Sequence, residues 1–199
     1  MALNGGGISC TALDHIRVNR ALYQYIDFSQ LFGFCANLPE QTGADMNILL
    51  SDKRPVKTVD YGWVGDVKQA NGGALAKLIN EGVVPVIAPL THDGMGHILN
   101  TNADTMAGET AKALAKYFEV TLVYCFEKEG VLRDENDDDS VIPEINRELY
   151  ASLKEDGIVV GGMIPKLDNS FATLDAGVKE VIITKADNLC DLTQGTHVK

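Results

Sequence analysis

The segment Thr91-His-Asp-Gly-Met-Gly-His-Ile-Leu-Asn-Thr-Asn-Ala-Asp104 holds the first side chains able to do chemistry. It turns on Gly94 and Gly96 and then runs extended, so Asn100 and Asn102, two residues apart, carry their carboxamides on one side. Asp104 falls in the first turn of the helix that follows, and three polar groups converge. The plain alternative is that Asn102 and Asp104 cap and compensate that helix while Asn100 caps a turn. A second set lies in Ile158-Val-Val-Gly-Gly-Met-Ile-Pro-Lys-Leu-Asp-Asn169. Pro165 suits a first helical turn, which puts Lys166 where a positive charge opposes the macrodipole. A solvated lysine tolerates that at roughly a few tenths of a kcal/mol. The chemical alternative is that Lys166, the dipole and the N–H groups near Gly161 and Gly162 together receive an anion such as a nucleotide phosphate.

A third stretch, Glu127-Lys-Glu-Gly-Val-Leu132, leaves an apolar strand and turns at Gly130, the place where an open sheet receives a nucleotide base or ribose. The acidic run after it, Arg133-Asp-Glu-Asn-Asp-Asp-Asp139, lacks the central glycine and the twelfth-position glutamate of a calcium loop and reads as a solvated turn. His92 and His97 flank Asp93-Gly-Met-Gly96 without a third His or Cys nearby, so no zinc site is assigned. Neither G-x-x-x-x-G-K-[ST] nor a G-x-G-x-x-G after a strand is present. The four cysteines form no C-x-x-C pair and read as reduced thiols.

The elements that must position these groups alternate. Leu75, Leu78 and Ile79 carry helical spacing up to Gly82, and Val83-Val-Pro-Val-Ile-Ala-Pro-Leu90 follows as a β-branched strand. Asp104 to Phe118 places Ala107, Ala111, Leu114, Ala115 and Phe118 on one helical face, and Val120 to Phe126 reads as a fully buried strand. Asn146 to Asp156 is a short helix. Gly162 to Val178 sets Met163, Leu167, Phe171, Leu174 and Val178 on one face, ahead of a strand at Glu180 to Thr184. Helix and strand in turn predict an α/β fold, an open and mainly parallel sheet with helices on both faces, with ligands at the carboxyl ends of the strands. The near alternation in Ser51 to Val67 predicts a hairpin beside the main sheet, suited to act as a lid. His15 to Ile26 is read as helical, and Asp27 to Gln41 carries no clean period.

With 199 residues, 45% hydrophobic and 23% charged, the chain has the make-up of one soluble globular domain spanning 1–199. A net charge of -11 argues against nucleic acid as a partner. No apolar run approaches the roughly 20 residues of a membrane helix, and Met1 to Asp14 lacks the order of a secretory signal, so a cytoplasmic protein without membrane partners is expected.

Gly43-Ala-Asp-Met-Asn47, Val59-Asp-Tyr-Gly-Trp-Val-Gly-Asp66, Val83-Val-Pro-Val-Ile-Ala-Pro89, Leu99-Asn-Thr-Asn-Ala-Asp104, Gly130-Val-Leu132, Gly161-Gly-Met-Ile-Pro-Lys166 and Gly195-Thr-His-Val198, in this order, resemble the acetylglutamate kinases of the amino-acid kinase superfamily. The match runs over 43–199, and 1–42 is atypical. The resemblance implies transfer of the ATP γ-phosphoryl to the side-chain carboxylate of an N-acylglutamate in arginine biosynthesis, with Mg²⁺ carried on ATP rather than in a protein cage. It implies that Asn100 and Asn102 bind substrate, that Asp104 orients the catalytic lysines, and that Lys166 offsets charge on the transferred phosphoryl. It gives Glu127, Lys128, Glu129, Gly130, Val131, Leu132, Ile158, Val159, Val160 and Met163 to the nucleotide, and a homodimer as the assembly.

The departures lie at the front. Nothing supplies the family's first, Gly-flanked lysine, and roughly 60 residues, two βαβ-sized units of about 30 each, are expected to be absent there. Asn4-Gly-Gly-Gly-Ile-Ser9 aligns with a family motif Asn-Gly-x-Arg-x-Thr, which puts Gly7 where a substrate-binding arginine belongs; the rival alignment makes Gly5 to Gly7 a substrate loop. Glu127 replaces the usual aspartate of the nucleotide loop. The alternative function is a family member that at most binds nucleotide.

Overall fold

The computed structural model describes residues 47–199, so the readings made on Asn4 to Gln41 lie outside the described residues. Two compact units are present, 47–118 and Glu119–Lys199.

The first unit runs β1 (Leu49–Lys53), β2 (Gly65–Ala70), α1 (Gly72–Asn80), β3 (Leu90–His92), β4 (Ile98–Asn100) and α2 (Ala103–Leu114). Its sheet has the order β2-β1-β3-β4, with β1 antiparallel to β2 and parallel to β3, and β3 antiparallel to β4. The hairpin expected within Ser51 to Val67 is thus present as β1 and β2, while Val56, Val59, Tyr61 and Trp63 between the strands stay more than half exposed. The strand read at Val83 to Leu90 is a correction: only a bridge at Ala88 and the strand from Leu90 onward are present. Pro85 and Pro89 have no N–H to give a ladder, and the Val83 N–H turns back onto the Leu78 carbonyl at 2.9 Å. Gly82, with φ +80°, ends the helix as expected. Leu75 and Ala76 of α1 are buried, as are Ile48, Leu49, Leu99 and one face of α2, which is Met106, Gly108, Ala111 and Leu114. That face is turned toward Met106 relative to the expected one, because α2 ends at Leu114 and leaves Ala115 and Phe118 half-buried beyond it. A Cβ on Gly72 would collide with the Ala113 carbonyl, so only glycine lets α1 start this close to α2.

The second unit runs β5 (Thr121–Phe126), β6 (Glu144–Ile145), α3 (Arg147–Glu155), α4 (Met163–Asp175), β7 (Glu180–Lys185), a 3-10 turn (Ala186–Asn188) and β8 (Thr196–Val198). The order is β5-β7-β8-β6. β5 and β7 are parallel from Thr121 beside Glu180 to Phe126 beside Lys185, with α4 in the crossover, and β8 is antiparallel to β7 and parallel to β6. The α/β class stands, with pairing in both sheets mixed. Leu122, Val123 and Tyr124 of β5 and Val181, Ile182 and Ile183 of β7 are buried, and Leu167 and Phe171 fill the inner face of α4 as its spacing predicts.

Thr196 closes this unit. Its hydroxyl accepts from the Val131 N–H at 2.8 Å and donates to the Ile142 carbonyl at 2.7 Å, with no exposure to solvent. No described helix is long and apolar enough to cross a membrane. Thr196→Val strands a buried donor and a buried acceptor, and is expected to lower the unfolding free energy by about 1–3 kcal/mol in urea titration, with Thr196→Ser retaining most of it.

Candidate functional site

In the first unit, Leu99 and Thr101 are buried, while Asn100 and Asn102, which alternate with them, are exposed, so both carboxamides share one side as their spacing predicts. Thr101 is fixed by a 2.9 Å hydrogen bond between its hydroxyl and that of Thr91. The Asn100 N–H donates to the Trp63 carbonyl at 2.8 Å, which ties the end of β4 to the residues leading into β2. Asn102 caps α2: its Oδ1 accepts from the Thr105 N–H at 2.9 Å and from the Thr105 hydroxyl at 3.2 Å. Asn102 is thus both the helix cap and an exposed residue. Asp104 follows in the first turn, where a carboxylate matches the dipole.

In the second unit, Lys166 stands in the first turn of α4, one residue after Pro165. Helices α1, α2 and α3 each begin with an asparagine whose Oδ1 accepts an N–H three residues on, at 3.0, 2.9 and 2.8 Å. Helix α4 begins at Gly162 with no side-chain cap and no acidic residue in its first turn. Gly161 has φ +55° and an ideal Cβ at Gly161 or Gly162 would meet nothing within 4 Å, so this turn is open within the unit, while the Met163 and Ile164 N–H groups bond the Val160 and Gly161 carbonyls at 3.2 and 3.4 Å. A lysine here opposes the dipole by about 0.3–1 kcal/mol. Two ring faces offset this: Lys166 Nζ lies 4.8 Å from the centroid of Tyr124 and 5.8 Å from that of Phe126. Such contacts contribute about 0.5–2 kcal/mol, more when desolvated, and Tyr124 is only 4% exposed.

Helix α3 holds this turn from the side. The Tyr150 hydroxyl donates to Asp168 Oδ1 at 2.7 Å and lies 3.3 Å from the Ile164 carbonyl, so its contacts bracket Lys166. Burial and the hydrogen bond to the Asp168 carboxylate push the phenol up to about 12, so it remains a donor throughout the physiological range. The loop Glu127–Leu132 leaves the carboxyl end of β5, as expected, with Gly130 and Val131 buried. Lys128 pairs with Asp138 at 2.7 Å, and Glu129 pairs with Lys185 at 3.2 Å. Val159 is buried, Val160 is 56% exposed and Met163 is half-buried.

The structure thus brings Asn100, Asn102 and Asp104 together on one unit, and Lys166 with the Glu127–Leu132 loop and the Ile158–Met163 stretch on the other. The acidic run closes on itself, with Asp134 and Ser140 bonded across it. Among the described residues no cluster of three or more His, Cys, Asp or Glu is placed to hold a metal. Sequence reasoning missed Tyr124, Phe126, Tyr150 and Lys185. The first two were findable: residues two apart on a strand share a face, and both are aromatic.

His97 Nδ1 bonds Asp93 Oδ2 at 2.7 Å, its ring stacks on Trp63 at 4.8 Å, and Lys53 Nζ lies 4.2 Å over the indole. For Asp93, burial raises the pKa, but hydrogen bonds from the Met95 N–H, the His97 ring and the His97 N–H prevail and hold it at about 2.

The amino acid kinase family model matches residues 15–185. Relatives named acetylglutamate kinase include those of Parabacteroides distasonis, 67% identical over 148 residues and 74% of this chain, and Bacteroides thetaiotaomicron, 65% identical over 158 residues and 79% of it. The chain spans 58% and 61% of the length of these two. N-acetylglutamate synthase of Neisseria gonorrhoeae, solved with coenzyme A and N-acetyl-glutamate, superposes with a TM-score of 0.68 over 95% of this chain and 44% of its own, and at 19% identity shares the fold alone.

A folded-state pKa below the unfolded carboxylate value of about 3.9 means that Asp93 stabilises the fold above that value and ceases to as pH falls through about 2. The difference in urea midpoint between wild type and Asp93→Asn is expected to be constant above about pH 5 and to shrink steadily toward pH 2.

Proposed function

The chain belongs to the amino acid kinase family, and from that premise we propose that it serves transfer of the γ-phosphoryl group of ATP to the side-chain carboxylate of N-acetyl-L-glutamate, or another N-acylglutamate, in arginine biosynthesis. The observation that carries this reading is the 67% identity to a relative named acetylglutamate kinase. The local physics agrees with it. In the reaction a carboxylate oxygen forms a bond to the γ-phosphorus as the bond to the β,γ-bridging oxygen breaks and ADP departs. Such a transfer asks the protein for position and charge rather than covalent chemistry. Lys166, at the uncapped start of α4, adds its ammonium to the helix dipole, so charge growing on the phosphoryl oxygens meets two preorganised positive sources. The backbone of Glu127–Leu132 and the Ile158–Met163 stretch receive the nucleotide. Asn100 and Asn102, on one exposed rail, hold the amide and carboxylate groups at the α-side of the acylglutamate. Asp104 matches, by that resemblance, the family's aspartate with an orienting role toward catalytic lysines. Mg²⁺ enters on the ATP phosphates and neutralises charge there when bound. This reading assigns the reaction to the cytoplasm.

Purified protein is expected to release ADP from MgATP only when N-acetylglutamate is present. Lys166→Ala should lower kcat by about 10²–10³, the loss of one electrostatic donor worth roughly 3–4 kcal/mol. Asn100→Ala should raise KM for the acylglutamate by about tenfold while leaving KM for ATP within twofold. Folded protein without acylglutamate-dependent ADP release would overturn the reading.

A further inference from the structure

Glu129 sits in the middle of the Glu127–Leu132 loop, and both of its carboxylate oxygens are engaged. Oε1 lies 3.2 Å from Lys185 Nζ, and Oε2 accepts from Asn188 Nδ2 at 2.5 Å. Its main-chain carbonyl lies 3.5 Å from the Thr184 hydroxyl, to which Asn188 Nδ2 also reaches at 3.4 Å. Lys185 is the last residue of β7 and Asn188 the last of the 3-10 turn, so the loop leaving β5 is tied to the end of its parallel neighbour. The next two residues are fixed by other means. A Cβ on Gly130 would lie 2.8 Å from Thr196 Oγ1 and Val141 Cγ1, and the Val131 N–H is bonded to Thr196. Charge, packing and a buried hydrogen bond thus hold three consecutive residues.

The Glu129 and Lys185 side chains keep 40% and 39% of their surface, so screening leaves the pair little weight in global stability. Its effect is local. A loop whose backbone must meet a base or ribose binds more tightly when its conformation is set beforehand. We infer that Lys185 and Asn188 are positioning residues for the nucleotide: they engage the Glu129 carboxylate and so fix the loop backbone, and Glu129 is a brace rather than a nucleotide ligand. This rests on the assignment of the loop to the nucleotide under the proposed function. Each Glu129 oxygen is already held by a protein donor, while Glu127 at the start of the loop is exposed.

Calorimetric titration of the full chain with MgADP tests this, with melting temperature followed in parallel. Glu129→Gln and Lys185→Met should each weaken MgADP binding roughly three- to tenfold, the size of one ordinary hydrogen bond, because they act on the nucleotide only through the loop. The double variant should bind no more weakly than the poorer single one, because both remove the same contact. Lys185→Arg should bind within twofold of wild type, and Asn188→Ala, which keeps the ion pair, should fall between. Melting temperatures should stay within a few degrees of wild type. Equal binding by Glu129→Gln and wild type overturns the brace, and if Lys185→Met alone weakens binding, Lys185 touches the nucleotide directly and the inference is wrong. Wild-type protein that binds MgADP without acylglutamate-dependent ADP release sinks the substrate reading and leaves the brace standing.

Discussion

A lysine at the start of a helix that has no capping side chain is the constraint around which the second unit is arranged. Asparagines satisfy the opening N–H groups of α1, α2 and α3, whereas α4 opens on Gly161 and Gly162 and adds the positive charge of Lys166 to a positive helix end. Left alone, that arrangement costs stability. The faces of Tyr124 and Phe126 return a comparable amount, and they can do so only because β5 is a buried strand that places both rings at its carboxyl end. An anion arriving at the α4 N-terminus would meet the helix dipole and the ammonium together, which is what a phosphoryl group in flight requires.

The rest of the unit keeps that turn and its neighbouring loop in place. Tyr150 reaches from α3 to the groups on either side of Lys166, and the parallel β5–β7 pair, reinforced by Glu129 and Lys185, sets the loop that follows β5. Thr196 then ties β8 to both ends of the loop between β5 and β6. In the first unit the same economy of means appears in a strand. Leu99 and Thr101 are buried so that Asn100 and Asn102 can face outward, and the helix cap made by Asn102 fixes the direction in which Asp104 is presented.

Much of this was legible in the residues. The ends of α3 were marked by Asn146 and Asp156, the inner face of α4 by Leu167 and Phe171, and β5 and β7 by their apolar runs, because in each case local preference and burial agree. The strand at Val83 to Leu90 was misplaced because β-branched side chains favour extended backbone while two prolines withhold donors, and the donors decided the ladder. The apolar residues from Val56 to Trp63 have the alternation of a strand yet lie on an exposed connection, since nothing in a pattern says which alternations find a partner. The converging carboxamides were visible from spacing alone. The ring faces under Lys166 and the brace on Glu129 were not, because Tyr124 and Lys166 are 42 residues apart, and Glu129 and Lys185 are 56 apart; only the fold joins them.

If the positive start of α4 serves phosphoryl transfer to a carboxylate, the product itself reports it most directly. An acyl phosphate reacts with hydroxylamine to give a hydroxamate, which a ferric salt reveals by colour. With MgATP and N-acetylglutamate, the protein should form hydroxamate in step with ADP, and Lys166→Ala should form at most about one-hundredth as much. ADP released without hydroxamate, or hydroxamate undiminished by the Lys166 substitution, would contradict the account.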